Sequence, residues 1–124
     1  MTKQMKVVYL AGPFRGKTPY DIETNVRRIE DVGLQVAKTG AVPLMPHTQY
    51  RFFQDSLPDE FWIEATKELL RRADCILMCP GWQDSTGSRG EHALALEMGM
   101  HVFIWGQDDA RLQAFIDGHE VVKT

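Results

Sequence analysis

An apolar run at residues 75–79 leads into Gly81-Trp82-Gln83-Asp84-Ser85-Thr86-Gly87-Ser88-Arg89-Gly90-Glu91, and an alanine- and leucine-rich run follows as far as Gly99. A strand, a glycine- and hydroxyl-rich turn and a helix in that order constrain the fold strongly, because the turn must lie at the carboxyl edge of a sheet. Backbone N–H groups at the start of such a helix lack intrahelical acceptors and, with the helix dipole, favour an anion. The spacing puts Glu91 in the first turn of the predicted helix, where the same dipole is expected to keep its carboxylate ionised. Two readings follow. Glu91 is a nucleophile beside an anion-friendly loop, or Ser88-Arg89-Gly90-Glu91 is a capping box in which Glu91 merely satisfies a backbone N–H.

The remainder of the chain supplies the sheet that this unit needs. Residues 6–12 form an apolar run ended by Gly12-Pro13, which predicts a strand buried on both faces. Over residues 20–38, Ile22, Val26, Ile29, Gly33 and Val36 recur at steps of three and four, predicting an amphipathic helix that stops at Gly40. The short run 41–46 holds two prolines and predicts an edge strand leading into a loop, His47-Thr48-Gln49-Tyr50. Residues 51–57 read as an irregular, lid-like segment whose Phe52 and Phe53 either cover the edge of the core, the favoured role, or stack on a ligand base. Ser56 and Asp59 signal the start of another helix, with Trp62, Ala65, Leu69 and Ala73 as its buried stripe. A fourth strand over 101–105 and a last helix capped by Asp108 or Asp109 complete the pattern.

Alternating strands and helices predict an α/β fold: a small Rossmann-like, flavodoxin-like three-layer sandwich with a parallel sheet of four to five strands. Its loops 12–16, 46–50 and 81–91 all fall at the carboxyl edge, where such sheets bind ligands. The candidate substrate contacts are therefore Gly12, Pro13, Phe14, Arg15 and Gly16 in the first loop and His47 in the second. The third loop adds Trp82, Ser85, Gly87 and Ser88. Glu91 is the candidate catalytic residue that this pattern supplies.

With 124 residues, one domain spanning 1–124 is expected. The net charge of −3 argues against a nucleic-acid polymer as partner while allowing a small anion. Residues 1–14 hold too short an apolar run for a signal peptide, and no run approaches a membrane span, so a cytoplasmic location is expected. Cys75 and Cys79 lie too far apart along one strand to bond and read as reduced core residues. The four histidines are scattered singly, which suggests neither a metal nor another cofactor. The aromatic-rich segment 50–62 carries more apolar surface than a thin domain easily buries, so a homodimer or larger homo-oligomer is expected.

Tyr9-Leu10-Ala11-Gly12-Pro13-Phe14-Arg15-Gly16, taken with the 81–91 stretch, resembles the nucleoside 2-deoxyribosyltransferase superfamily, and is most similar to its small bacterial and phage members. The resemblance spans roughly residues 7–104. It implies that Glu91 attacks the anomeric carbon of a 2-deoxyribosyl group and displaces the nucleobase, and that Tyr9 positions Glu91. Water or a second base then takes the sugar. In the related 2-deoxynucleoside 5-monophosphate N-hydrolases, the positions of Arg15, Gly16 and Ser85 surround the phosphate, but Pro13 stands where that branch has a serine. Thr66 stands where many members carry an aspartate that contacts the leaving base, so protonation of that base is left to Asp84 or His47, or is missing. A non-catalytic nucleotide-binding module remains an alternative, as does a phosphoribohydrolase resembling those that activate cytokinins, although the turn here lacks their Pro-Gly-Gly start.

Overall fold

The computed structural model describes residues 4–53 and 55–124. Met1, Thr2 and Lys3, at the head of the segment read as too short for a signal peptide, and Gln54, in the lid-like segment, lie outside the described residues. The elements run β1 (Val7–Ala11), α1 (Pro19–Lys38), β2 (Val42–Leu44), α2 (Pro46–Tyr50), α3 (Asp59–Arg71), β3 (Cys75–Met78), α4 (Thr86–Glu97), β4 (His101–Ile104) and α5 (Asp109–Ile116). A single 3-10 turn, Trp82–Asp84, joins β3 to α4.

All pairings in the four-stranded sheet are parallel and its order is β2-β1-β3-β4. The expected α/β sandwich is thus present, in the flavodoxin-like order. Among the described residues β2 pairs with β1 alone, an edge position that suits Pro43. Alternation along the strands divides the core in two. Val8, Leu10, Cys75 and Leu77 pack with Ile29 and Val36 of α1 and Leu112 and Phe115 of α5. Tyr9, Ala11, Ile76 and Met78 pack on the other face, with Leu70 of α3 and Ala95 of α4. Cys75 and Cys79 are buried free thiols, each pushed up to about 12 by burial.

After β2 the chain crosses back over β1 to reach β3, so the loops leaving β1 and β3 diverge. The sheet therefore has its switch point between those two strands, where an open α/β sheet holds a crevice at its carboxyl edge.

Several local expectations are corrected. Ser85, not Ser88, caps α4, accepting from the Ser88 N–H at 3.2 Å. The helix therefore starts three residues earlier than the sequence suggested, Glu91 lies in its second turn, and no Ser88–Glu91 capping box forms. Residues 46–50 are a short helix rather than a loop, because Pro46 starts it and the Met45 carbonyl accepts from Thr48 and Gln49. Pro58 rather than Ser56 stands at the cap of α3, with no side-chain bond. Asp108 does not cap α5 by its side chain. Its carboxylate instead accepts from the Ile104 N–H, while Asp109 accepts from Gly106. Phe52 does not cover the core: it is 79% exposed, beneath the Arg51 guanidinium.

Candidate active site

Tyr9 is the middle residue of β1 and is fully buried beneath α3 and α4. Glu91 comes down from α4 on the stripe Ser88, Glu91 and Ala95, whose spacing of three and four turns all three toward the sheet. The Tyr9 hydroxyl donates to Glu91 Oε2 in a buried hydrogen bond. α3 completes the group from above. The Thr66 hydroxyl, which donates to the Ile63 carbonyl at 3.0 Å, and the Lys67 ammonium both favour the ionised form of Glu91.

Burial dominates the electrostatics here. Loss of water raises Glu91 to about 7, against the opposing effects of the Tyr9 bond, the Thr66 bond and the Lys67 charge. This corrects the expectation of a dipole-stabilised carboxylate. The dipole acts within the first turn, and Glu91 lies beyond it. The Tyr9 phenol is itself raised well above its ordinary value, first by burial and then by Glu91, so it remains a donor across the physiological range.

The other sequence-named residues divide into three groups. Gly12, Phe14 and His47 form one anchored unit. His47 Nε2 meets the Gly12 carbonyl at 2.7 Å, and the ring packs edge-on against Phe14 at 5.4 Å. Burial lowers the His47 pKa, so the ring is neutral, its one hydrogen goes to Gly12, and its buried Nδ1 has no partner among the described residues. His47 therefore has no proton to give a leaving base. Gly12 itself is held by packing, since a Cβ there would lie 2.7 Å from Ile29 Cδ1.

Pro13 and the third loop form the second group. Gly81 turns with φ +88°, a conformation that suits glycine, and a Cβ there would press within 3.0 Å of Pro13. The two switch-point loops thus touch. Trp82 then packs at a tilt against His92 with ring centres 4.6 Å apart, and Ser85 opens α4. The hydroxyl of Ser88 is buried without a partner among the described residues.

Arg15, Gly16, Asp84 and Gly87 stand apart from the Tyr9–Glu91 pair. Arg15 forms an exposed ion pair with Asp59 at 2.9 Å, tying the first loop to the start of α3. Gly16 abuts Asp21 in the first turn of α1. Asp84 and Gly87 are exposed. A shallow groove of about 170 Å³ between α1 and residues 13 and 79–80 lies on the opposite face of the sheet from Glu91.

The sequence reading missed Lys67 and the effect of Thr66. One signal was available: Thr66 stands four residues after Trp62 and four before Leu70, a hydroxyl within a stripe that otherwise faces the core. It also missed the cluster over this end of the sheet, where Tyr50 and Trp62 lie 4.9 Å apart and Phe53 and Phe61 flank Trp62.

Comparison with known proteins agrees with this architecture. Residues 6–104 match a family described as a domain of unknown function, DUF4406. The fold is similar to the solved structure of a 2-deoxyribosyltransferase from the psychrotolerant bacterium Bacillus psychrosaccharolyticus, with a TM-score of 0.61 and 17% identity, covering 79% of this chain and 70% of that one. The fold expected from the resemblance is thereby borne out. No curated protein matches the chain.

Proposed function

Because the chain belongs to the DUF4406 family and its matched stretch carries Tyr9, Thr66 and Glu91 together, we propose that it is an N-glycosidase or deoxyribosyl transferase acting on a deoxynucleoside or its 5-monophosphate. The observation that carries this reading is the buried Tyr9–Glu91 hydrogen bond on β1, a strand that borders the switch point of the sheet. A carboxylate held by a tyrosine in a largely dry site suits covalent catalysis at an anomeric carbon. The likeness of the fold to a 2-deoxyribosyltransferase supports the same class of substrate.

In the first step an ionised Glu91 oxygen bonds to the anomeric carbon, and the carbon–nitrogen bond to the base breaks, its electron pair leaving with the base nitrogen. In the second step water, or another base, bonds to the same carbon, Glu91 is released as carboxylate, and the proton that the incoming group loses passes to the departed base. Tyr9 steadies the carboxylate throughout by donating its hydrogen. With Glu91 near 7, roughly half the molecules hold the ionised nucleophile at neutral pH. Ser85 and the amino end of α4 lie beside the crevice and suit the 5-oxygen or phosphate of the substrate.

Incubation with deoxynucleosides, ribonucleosides and their monophosphates, with and without an added base, tests the proposal. Free base or exchanged nucleoside is expected from the deoxy substrates, and intact mass should rise by one sugar residue on Glu91. One observation favours a second reading, a nucleotide-binding module without turnover: Thr66 acts on Glu91 where the resemblance calls for an acid. Binding without any base release would support it.

A further inference from the structure

We propose that the outer edge of β4 is a docking site for an extended peptide, closed by the chain's own segment 119–123 and open, once that segment is withdrawn, to the same segment of a second copy. β4 ends the sheet. The Trp105 N–H donates to the Met78 carbonyl of β3 at 3.0 Å, so by alternation Val102 turns its N–H and carbonyl away from the sheet. Unpaired groups on such an edge are a template for another strand. The other end strand, β2, is poorer in this respect. The Val42 N–H donates to the Lys6 carbonyl beside β1, which leaves Pro43 turned outward with no N–H to give.

At β4 the site grips three successive carbonyls of the segment. The Val102 N–H donates to the Lys123 carbonyl at 2.7 Å, Arg111 Nη1 donates to the Val122 carbonyl, and His101 Nε2 meets the Val121 carbonyl at 3.1 Å. The half-buried Val121 packs against the core that holds Phe103 and Phe115, while Val122 points out and is 68% exposed. Main-chain bonds supply affinity and the pocket for Val121 sets the register, which is how an added strand is recognised.

Arg111 joins the site to the segment. Its Nη2 donates to the Val102 carbonyl at 2.6 Å while Nη1 holds Val122, a grip on two carbonyls that needs a planar fork. The guanidinium is set in place by Asp108 at 3.4 Å and by the Phe103 ring, whose centre lies 4.3 Å away. Those partners belong to β4 and the start of α5, so the site is formed without help from the segment. Residues 119–124 adopt neither helix nor strand, and Gly118, with φ +94°, turns the chain from α5 back toward β4. A second copy's segment would make the same bonds, which is what makes such a segment exchangeable.

The test uses two whole-chain variants with complementary defects, followed by NMR at the Val102 amide. Val121→Asp spoils the segment and leaves the site, while Arg111→Ala spoils the site and leaves the segment. In the Val121→Asp chain the Val102 amide should exchange with solvent roughly ten-fold faster than in the parent, or more, with the β1 amides unchanged. Adding unlabelled Arg111→Ala chain to labelled Val121→Asp chain should return the Val102 resonance and its protection toward the parental values, whereas adding unlabelled Val121→Asp chain should not. A synthetic peptide of residues 118–124 should act as the Arg111→Ala chain does, and it replaces that chain if the variant does not fold. Val121→Asn gives the same readout if the aspartate disturbs the core. A Val102 amide still protected in the Val121 variants overturns the proposal. So does one that neither a folded donor chain nor the peptide restores.

Discussion

The Tyr9 hydroxyl on β1 donates to the Glu91 carboxyl on α4 across 82 residues of sequence, and both groups are nearly inaccessible to water. That one bond ties the central strand of the sheet to the helix after the glycine-rich turn. It also sets a carboxyl and a phenol together on the face of the sheet that α3 and α4 cover.

The first prediction concerns Glu91→Gln. Its folded pKa lies near 7, above the ordinary 4.5, so the native state holds this proton more tightly than the unfolded chain does. The resulting stabilisation is complete below the ordinary carboxylate range and is lost as pH rises through 7. Glutamine does not titrate, so between pH 4 and pH 8 the variant should gain on the parent by an amount on the order of 3 kcal/mol. Base release should vanish at every pH. Thermal melts at the two pH values, run beside product assays, check both; a variant that turns over like the parent would show that Glu91 is structural.

Tyr9→Phe keeps the buried ring and removes the donor. A hydrogen bond to a charged group contributes about 1.5–3 kcal/mol, so kcat/KM should fall roughly ten- to hundred-fold. Glu91 should also titrate higher, because its bond from Tyr9 favours the ionised form. The pH–rate profile separates these effects, and an unchanged acidic limb would mean that Tyr9 does not act on Glu91.

The pairing of Arg15 with Asp59 gives a prediction about ligand charge. Exposed pairs of this kind contribute only about 0.2–1 kcal/mol, so a ligand phosphate can compete for the guanidinium. A 5-monophosphate should bind roughly ten-fold tighter than its nucleoside, Arg15→Ala should erase most of the gap, and Asp59→Asn should widen it a few-fold. Isothermal titration of both ligands measures it. Equal affinities in the parent would leave Arg15 with a structural role alone.

Self-association is predicted from the aromatic face next to the site. Phe53, Leu57, Phe61 and Ile63 are all exposed beside half-buried Trp62, a patch of the kind that a soluble monomer rarely leaves uncovered. Sedimentation should give a mass of at least two chains at micromolar concentration, and Phe61→Glu should return it to one. A single-chain mass for the parent would rule the interface out.

Much of the fold was legible because its signals are local. The apolar run of β1, the three- and four-residue period of α1, the proline of β2 and the turn before α4 each act within a few residues. Parallel strands joined by helices then left few topologies open, and the resemblance added the roles of Tyr9 and Glu91. The start of α4 was misplaced because two serines three residues apart, Ser85 and Ser88, offer equivalent caps, and only packing against the sheet chooses between them. The same choice moved Glu91 from a solvated first turn to a buried second one. No spacing in the chain could show that Glu91 would lose its water, or that Thr66 would act on it from another helix. Propensity and pattern depend on near neighbours and were determined by the sequence; desolvation and long-range hydrogen bonds depend on which distant residues meet, and only the tertiary structure decided them.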